Sequence, residues 1–306
     1  MKQTIKILSI AAFGLCFAAF TNTSKAQGDN VPKSGSSSIG IVYNPISGKR
    51  ANDMFKAGDF VGNTLAAQGS SPYQMFILGD PMISVRYKYK ISNTTAFRAS
   101  LGFSGAKFNY KEYVIDDVLY MDDFLSVEQV EDIIHYKMKG GGINIGLEFN
   151  KSFGNFCLVG GFGLVYSFGG GSMKFDYGNK MDEDNPVPST MSIIRDSLGS
   201  SGFYYDIDLA NARPLKRYNV GNEHAFGLSL DLGVEWFFMP NLSLAANVSL
   251  TPLIFATQPE TYTEYEGYSV TDEEVIQFKK KISSGSNYLL YGTENIGLQL
   301  SLNYYF

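Results

Sequence analysis

Ile83-Ser84-Val85-Arg86-Tyr87-Lys88-Tyr89-Lys90-Ile91 puts Ile, Val, Tyr, Tyr and Ile at the odd positions and Ser, Arg, Lys and Lys at the even ones. A helix turning every 3.6 residues would scatter both sets around its circumference; a strand sends them to opposite faces. Ser92-Asn93-Thr94 follows, and then Phe97, Ala99, Leu101 and Phe103 alternate with Arg98, Ser100, Gly102 and Ser104. Two alternating runs joined by three turn-forming residues read as a tight hairpin.

The unit recurs. Ile143, Ile145, Leu147 and Phe149 lead through Asn150–Asn155 into Phe156, Leu158, Gly160, Phe162, Leu164, Tyr166 and Phe168. Phe226, Leu228, Leu230, Leu232, Val234, Trp236 and Phe238 pass through Met239-Pro240-Asn241 into Leu242, Leu244, Ala246, Val248 and Leu250. A weaker run, Ile39 to Tyr43, supplies a first strand, and Ile296 to Phe306 a last one. The connections alternate between short turns and long loops near 46–80, 109–135, 173–222 and 257–286. A soluble sandwich has little reason to send every long connection to one end, whereas a membrane barrel keeps short periplasmic turns and long extracellular loops. The expected fold is therefore an all-β, eight-stranded antiparallel up-and-down transmembrane β-barrel. Phe149, Phe153, Phe156, Trp236, Phe238, Tyr304 and Phe306 cluster beside the short turns, where a periplasmic aromatic girdle belongs.

Residues 1–26, with Lys2 and Lys6 before an apolar core and Ser24-Lys25-Ala26 at the end, read as a cleaved signal peptide. A polar lead over 27–37 precedes the barrel at 38–306. The 306 residues carry 25 Lys and Arg against 30 Asp and Glu, so no basic face for nucleic acid is expected. Beyond Cys16 in the signal peptide the chain has only Cys157, so no internal disulfide braces it.

Phe306, preceded by Tyr304, Leu302, Leu300 and Leu298, forms an aromatic-terminated alternating end. With it, Ser38–Phe306 resembles the small outer-membrane β-barrels of the OmpA and OmpX type. The resemblance implies residence in the bacterial outer membrane among lipid and lipopolysaccharide. It also implies recognition of the terminal pattern by the barrel-assembly machinery. No peptidoglycan-binding domain follows, so wall tethering is not implied. A structural or surface-interaction role is expected, with an unidentified surface or envelope protein as a further partner. A narrow pore or lateral-exit transporter, and an enzyme acting on lipid A, stay open as alternatives.

Arg86, Lys88, Lys90 and Arg98 share the inward parity with Glu148, Asp231, Glu235 and Glu294. A barrel of eight strands is just wide enough for side chains to fill, so these charges are expected to pair in a sealed core. Across Gly140-Gly141-Gly142 the apolar parity shifts from Tyr136 and Met138 to Ile143 and Ile145, which suggests a β-bulge. Ser126–Gln129 and Thr271–Glu274 resemble capping boxes, predicting short helices through Val130, Ile133 and Ile134 and through Val275, Ile276 and Phe278. The acidic stretch 109–135 reads as a solvated anionic surface, with no metal or cofactor expected. His135 and His224 sit near extracellular strand ends, but no nucleophilic set can be assembled around them. Phe203, Tyr205, Ile207 and Leu209 alternate as an extracellular hairpin extension would.

Overall fold

A computed structural model describes residues 31–46, 83–192, 209–292 and 296–306. The signal peptide, most of the 46–80 loop, Glu294 and the run from Phe203 to Ile207 lie outside the described residues. Eight strands close into a ring. In chain order they are β1 (Ser37–Ile46), β2 (Ile83–Lys90), β3 (Thr95–Ile115), β4 (Gln129–Phe153), β5 (Phe156–Asp176), β6 (Leu209–Met239), β7 (Leu242–Gln258) and, after three shorter strands, β11 (Ile296–Tyr305). Each ring strand pairs antiparallel with its neighbour, and β11 returns to β1. The shorter strands β8 (Thr261–Ser269), β9 (Glu274–Ser283) and β10 (Ser286–Tyr291) extend the sheet beyond the ring, β8 on β6 and β10 on β7.

Lipid explains the choice of fold. A segment in hydrocarbon must satisfy every backbone group within the protein, and among sheets only a closed one leaves no edge. The outward parity of β2, Ile83, Val85, Tyr87 and Tyr89, is exposed, while Ser84, Arg86, Lys88 and Lys90 are buried. Leu298, Leu300, Leu302, Tyr304 and Phe306 all lie on the outward parity of the closing strand and its terminal residue. Phe153, Phe156, Trp236, Tyr304 and Phe306 are exposed at the short-turn end, where the girdle was expected.

Two of the four long connections, 109–135 and 257–286, are mostly strand. β3 and β4 pair without interruption from Thr95↔Phe149 to Ile115↔Gln129, so the 109–135 loop shrinks to a tip. Much of the 257–286 loop is β8, β9 and the start of β10. Neither predicted helix forms. Val130, Ile133 and Ile134 belong to β4, and Val275, Ile276 and Phe278 to β9. Alternation at those positions outweighs a four-residue capping signal, because each run has strands to pair with: β3 and β5 for β4, and β8 for β9. One helix, α1 (Asp117–Asp122), caps the β3–β4 tip instead, with the Asp116 carboxylate accepting from the Val118 and Leu119 amides.

The glycine triplet is not a bulge. Gly140, Gly141 and Gly142 oppose Ser104, Phe103 and Gly102 in β3 and Gly169, Phe168 and Ser167 in β5 without a register shift. Even-numbered β4 residues point inward on both sides of the triplet: Asp132, Ile134 and Tyr136 above, Glu148 and Asn150 below. What changes there is the medium. Below the glycines the apolar residues face out to lipid; above them they face into the barrel. Val114, Ile134, Tyr136, Met173, Phe175 and Met191 form an extracellular core against Phe108, Tyr110, Val130, Tyr177 and Val220.

Candidate functional site

The membrane-level lumen is filled by charged side chains. Lys88 Nζ donates to Glu148 Oε1 at 3.0 Å and to Glu235 Oε2 at 3.1 Å. Glu235 Oε1 also accepts from Ser243 Oγ, from Asn303 Nδ2 at 2.9 Å and from the Tyr305 hydroxyl at 3.0 Å. Arg98 pairs with Asp231, and Arg86 donates to Ser100 Oγ at 3.1 Å and to Gln299 Oε1. Lys90 is buried in the same lumen, in electrostatic range of Cys157 and Glu235. Seven of the eight residues expected in this network are thus inside the barrel; Glu294 lies outside the described residues.

Ser243, Gln299, Asn303 and Tyr305 complete the network and were not singled out from sequence. Their inward parity on β7 and β11 was the available signal, but uncharged side chains do not stand out in an alternating run. A Cβ on Gly161 would lie 2.8 Å from the Leu147 carbonyl oxygen of β4, so the bare backbone there lets the two strands approach closely beside Arg98. The cavity between Arg86, Ser100, Asn144 and Gln299 is about 10 Å³, room for one water.

A second constellation stands above the membrane. The buried Asp132 carboxylate accepts from the Gly178 amide at 2.8 Å and the Met191 amide at 3.0 Å. Burial pushes its pKa up, against those two hydrogen bonds. Asn179 receives the Asp117 amide on Oδ1 and donates Nδ2 to the carbonyls of Ile115 and Ser189. Arg213 Nε donates to Glu266 Oε1 at 2.6 Å, its Nη2 donates to the Asn179 carbonyl, and its guanidinium lies 4.0 Å over the Tyr177 ring. These contacts lace the 177–192 connection over the upper core. No sequence signal pointed to them, because the partners meet only once the ring has formed and the 177–192 connection lies between β3, β4 and β6.

The two histidines are separate. His135 on β4 has Asn109 Oδ1 at 2.9 Å from Nδ1 and Asp176 Oδ2 at 2.8 Å from Nε2, so both ring nitrogens are engaged. His224 on β6 is hydrogen-bonded through Nδ1 to the Tyr166 hydroxyl at 2.8 Å and stacks on that ring. Among the described residues the tip holds the two most exposed large hydrophobic side chains, Leu125 and Val127, and with Val118 in α1 and Phe124 these are 62–87% exposed.

No protein-family model matches the chain, and no curated protein does. Among solved structures it is similar to the outer membrane protein OprG from Pseudomonas aeruginosa, at 10% identity and a TM-score of 0.36 over 90% of this chain and 98% of that one. It is also similar to Ail, the attachment invasion locus protein of Yersinia pestis, at 13% identity and a TM-score of 0.29 over 89% and 99%. A major outer membrane protein from Thermus thermophilus follows at 10% identity and a TM-score of 0.28 over 89% and 98%. The closed ring, its apolar exterior and its charged interior give this chain the fold of a small outer-membrane β-barrel protein.

Proposed function

We propose that this protein is a sealed outer-membrane barrel with a structural or surface-interaction role, carried by its extracellular extension rather than by its lumen. The observation that carries the reading is the apolar tip. Phe124, Leu125 and Val127 stand at 73%, 86% and 87% exposure at the far end of β3 and β4, and such side chains in water favour a covering partner. The filled lumen supports the same assignment, because solute passage would require breaking buried ion pairs. The full engagement of both His135 ring nitrogens supports a non-enzymatic role, as neither nitrogen is left to take a proton from a nucleophile.

Planar-bilayer recording tests the sealed barrel: silence is expected, and a stable open conductance overturns it. The tip is tested by replacing Phe124, Leu125 and Val127 together with Ser. Surface cross-linking to other envelope proteins should fall while the heat-modifiable mobility of the closed barrel is unchanged. Unchanged cross-linking would move the interaction elsewhere.

A further inference from the structure

The outer wall of β3, β4 and β5 carries lysines whose arrangement is unfavourable without an added anion. Lys107 on β3 lies directly opposite Lys137 on β4, and Lys139 sits two residues along the same face. Cross-strand neighbours on one face have Cβ atoms about 4.5–5.5 Å apart, and like charges so placed repel. All three side chains are exposed, and among the described residues none of the three makes an ion pair. Four other lysines of the extracellular surface are ion-paired. Lys111 pairs with Glu131, Lys174 with Asp176, Lys279 with Glu264 and Lys281 with Glu260.

The immediate neighbours on that face are small and uncharged. Gly105 and Gly170 flank Lys139, and Ser172 lies beside Lys137 on β5. Below them, Gly141 is covered by two rings: a Cβ there would lie 2.9 Å from Phe103 Cδ1 and 3.0 Å from Phe168 Cζ. Phe103 is 67% exposed and heads an apolar strip through Leu101, Ile143 and Ile145. The result is a shallow cationic recess directly above an aromatic and aliphatic wall.

Its height identifies the ligand class. Lys107 is twelve residues up β3 from Thr95 at the periplasmic end. At a rise of roughly 3.3 Å per residue and a tilt of about 45°, that is about 28 Å along the barrel axis, close to the ~25 Å apolar band of such barrels. The lysines therefore stand at the outer-leaflet headgroup level, with the apolar strip at the level of the acyl chains. We infer that Lys107, Lys137 and Lys139 form a binding site for the phosphoryl headgroup of an outer-leaflet lipid whose chains lie along Phe103, Leu101, Ile143 and Ile145. The inference rests on the outer-membrane placement proposed above. A lipid phosphoryl relieves the repulsion between Lys107 and Lys137 by charge-assisted hydrogen bonds to both.

The test uses the full chain, folded into phosphatidylcholine nanodiscs with or without lipid A, and measures retained lipid A by native mass spectrometry. A triple variant replacing Lys107, Lys137 and Lys139 with Gln is compared with Lys111→Gln, which lies outside the recess. The wild type and Lys111→Gln should retain lipid A in a salt-sensitive way. The triple variant should retain it on the order of 100-fold more weakly, three lysines at a membrane surface being lost. The single variant Lys137→Gln should show a partial loss, which covers the case in which the triple variant does not fold. Equal retention by the folded variants and the wild type, or no preference for lipid A over phosphatidylcholine, overturns the site. Complete displacement by inorganic phosphate at equal phosphoryl concentration assigns it to the free ion and overturns the lipid. Outer-membrane residence is read separately by cell fractionation of wild type and triple variant, so loss of the site and loss of the placement give different results.

Discussion

β3, β4 and β5 each run through two regions with opposite polarity. Below the Gly140–Gly142 level the wall is apolar outside and charged inside, as with Ile145 against Glu148 on β4. Above it the same strand puts Ile134 and Tyr136 inside and His135 and Lys137 outside. The backbone geometry is continuous, so the difference comes from the surroundings: lipid rewards apolar residues outside, and water rewards them inside. One sheet thus holds two cores, an ion-paired one in the membrane and a packed hydrophobic one above it.

The sharpest way to break this comparison is to damage each core separately. Lys88→Met leaves Glu148 and Glu235 without their shared cation and should destabilise the lower barrel by about 3–5 kcal/mol. Urea unfolding followed by the heat-modifiable band reads this loss. In the upper core, Met173→Ala should cost about 2–5 kcal/mol, yet mainly as local opening. Limited proteolysis should therefore cut the extracellular part while the band of the closed barrel persists. Global unfolding by Met173→Ala at the Lys88→Met midpoint would merge the two cores into one cooperative unit.

The outer face offers a smaller test. Ile145→Arg, on the lipid-facing wall, should cost about 2–4 kcal/mol in bilayer folding assays. Lys174→Arg, on the outer face of β5 above the membrane, should be nearly neutral. Equal costs would place the polarity boundary elsewhere.

The smallest effect is a pH dependence of opposite sign inside and outside the upper core. Burial pushes Asp132 up, so its contribution is full below its unfolded value of 3.8 and is lost as pH rises through the raised folded value. On the outer face of β5, burial also acts to raise Asp176, but hydrogen bonds from Lys174 and His135 outweigh it and bring it below 3.8. Its contribution is present above 3.8 and is lost as pH falls through the lowered value. Proteolysis of the extracellular part across this range should show Asp132→Asn losing the first trend and Asp176→Asn the second.

The alternation made the lower barrel legible from Ile83–Ile91 onward, down to the inward Arg86, Lys88 and Arg98. It was legible because lipid outside and a narrow lumen inside leave each parity one chemistry. The upper barrel was misread for the same reason. With Tyr136 and Met138 on the parity opposite to Ile143 and Ile145, an inversion of the medium looked like a break in register. Mixed positions such as Asn109, Glu112 and His135 looked like loop. The Asp132, Asn179 and Arg213 contacts had almost no local signature, since apart from Asn179 with Ser189 their partners lie 34 to 64 residues away.

The seam between β1 and β11 has a kinetic consequence. β4 and β5 are joined by a short turn and zip through 21 consecutive partners, whereas Ser38 must find Tyr305 from the other end of the barrel and the run stays regular for only six partners, to Tyr43↔Leu300. Pairings so distant in sequence are slow, because the chain between them must be ordered before the contact repays it. Hairpins should thus accumulate first and ring closure come last. Until then β1 and β11 are open edges able to pair with any strand they meet, including those of another copy. The vulnerable period in this protein's life is the interval before that six-residue seam closes, and whatever shields the Leu298–Phe306 edge during it sets the yield of folded barrel.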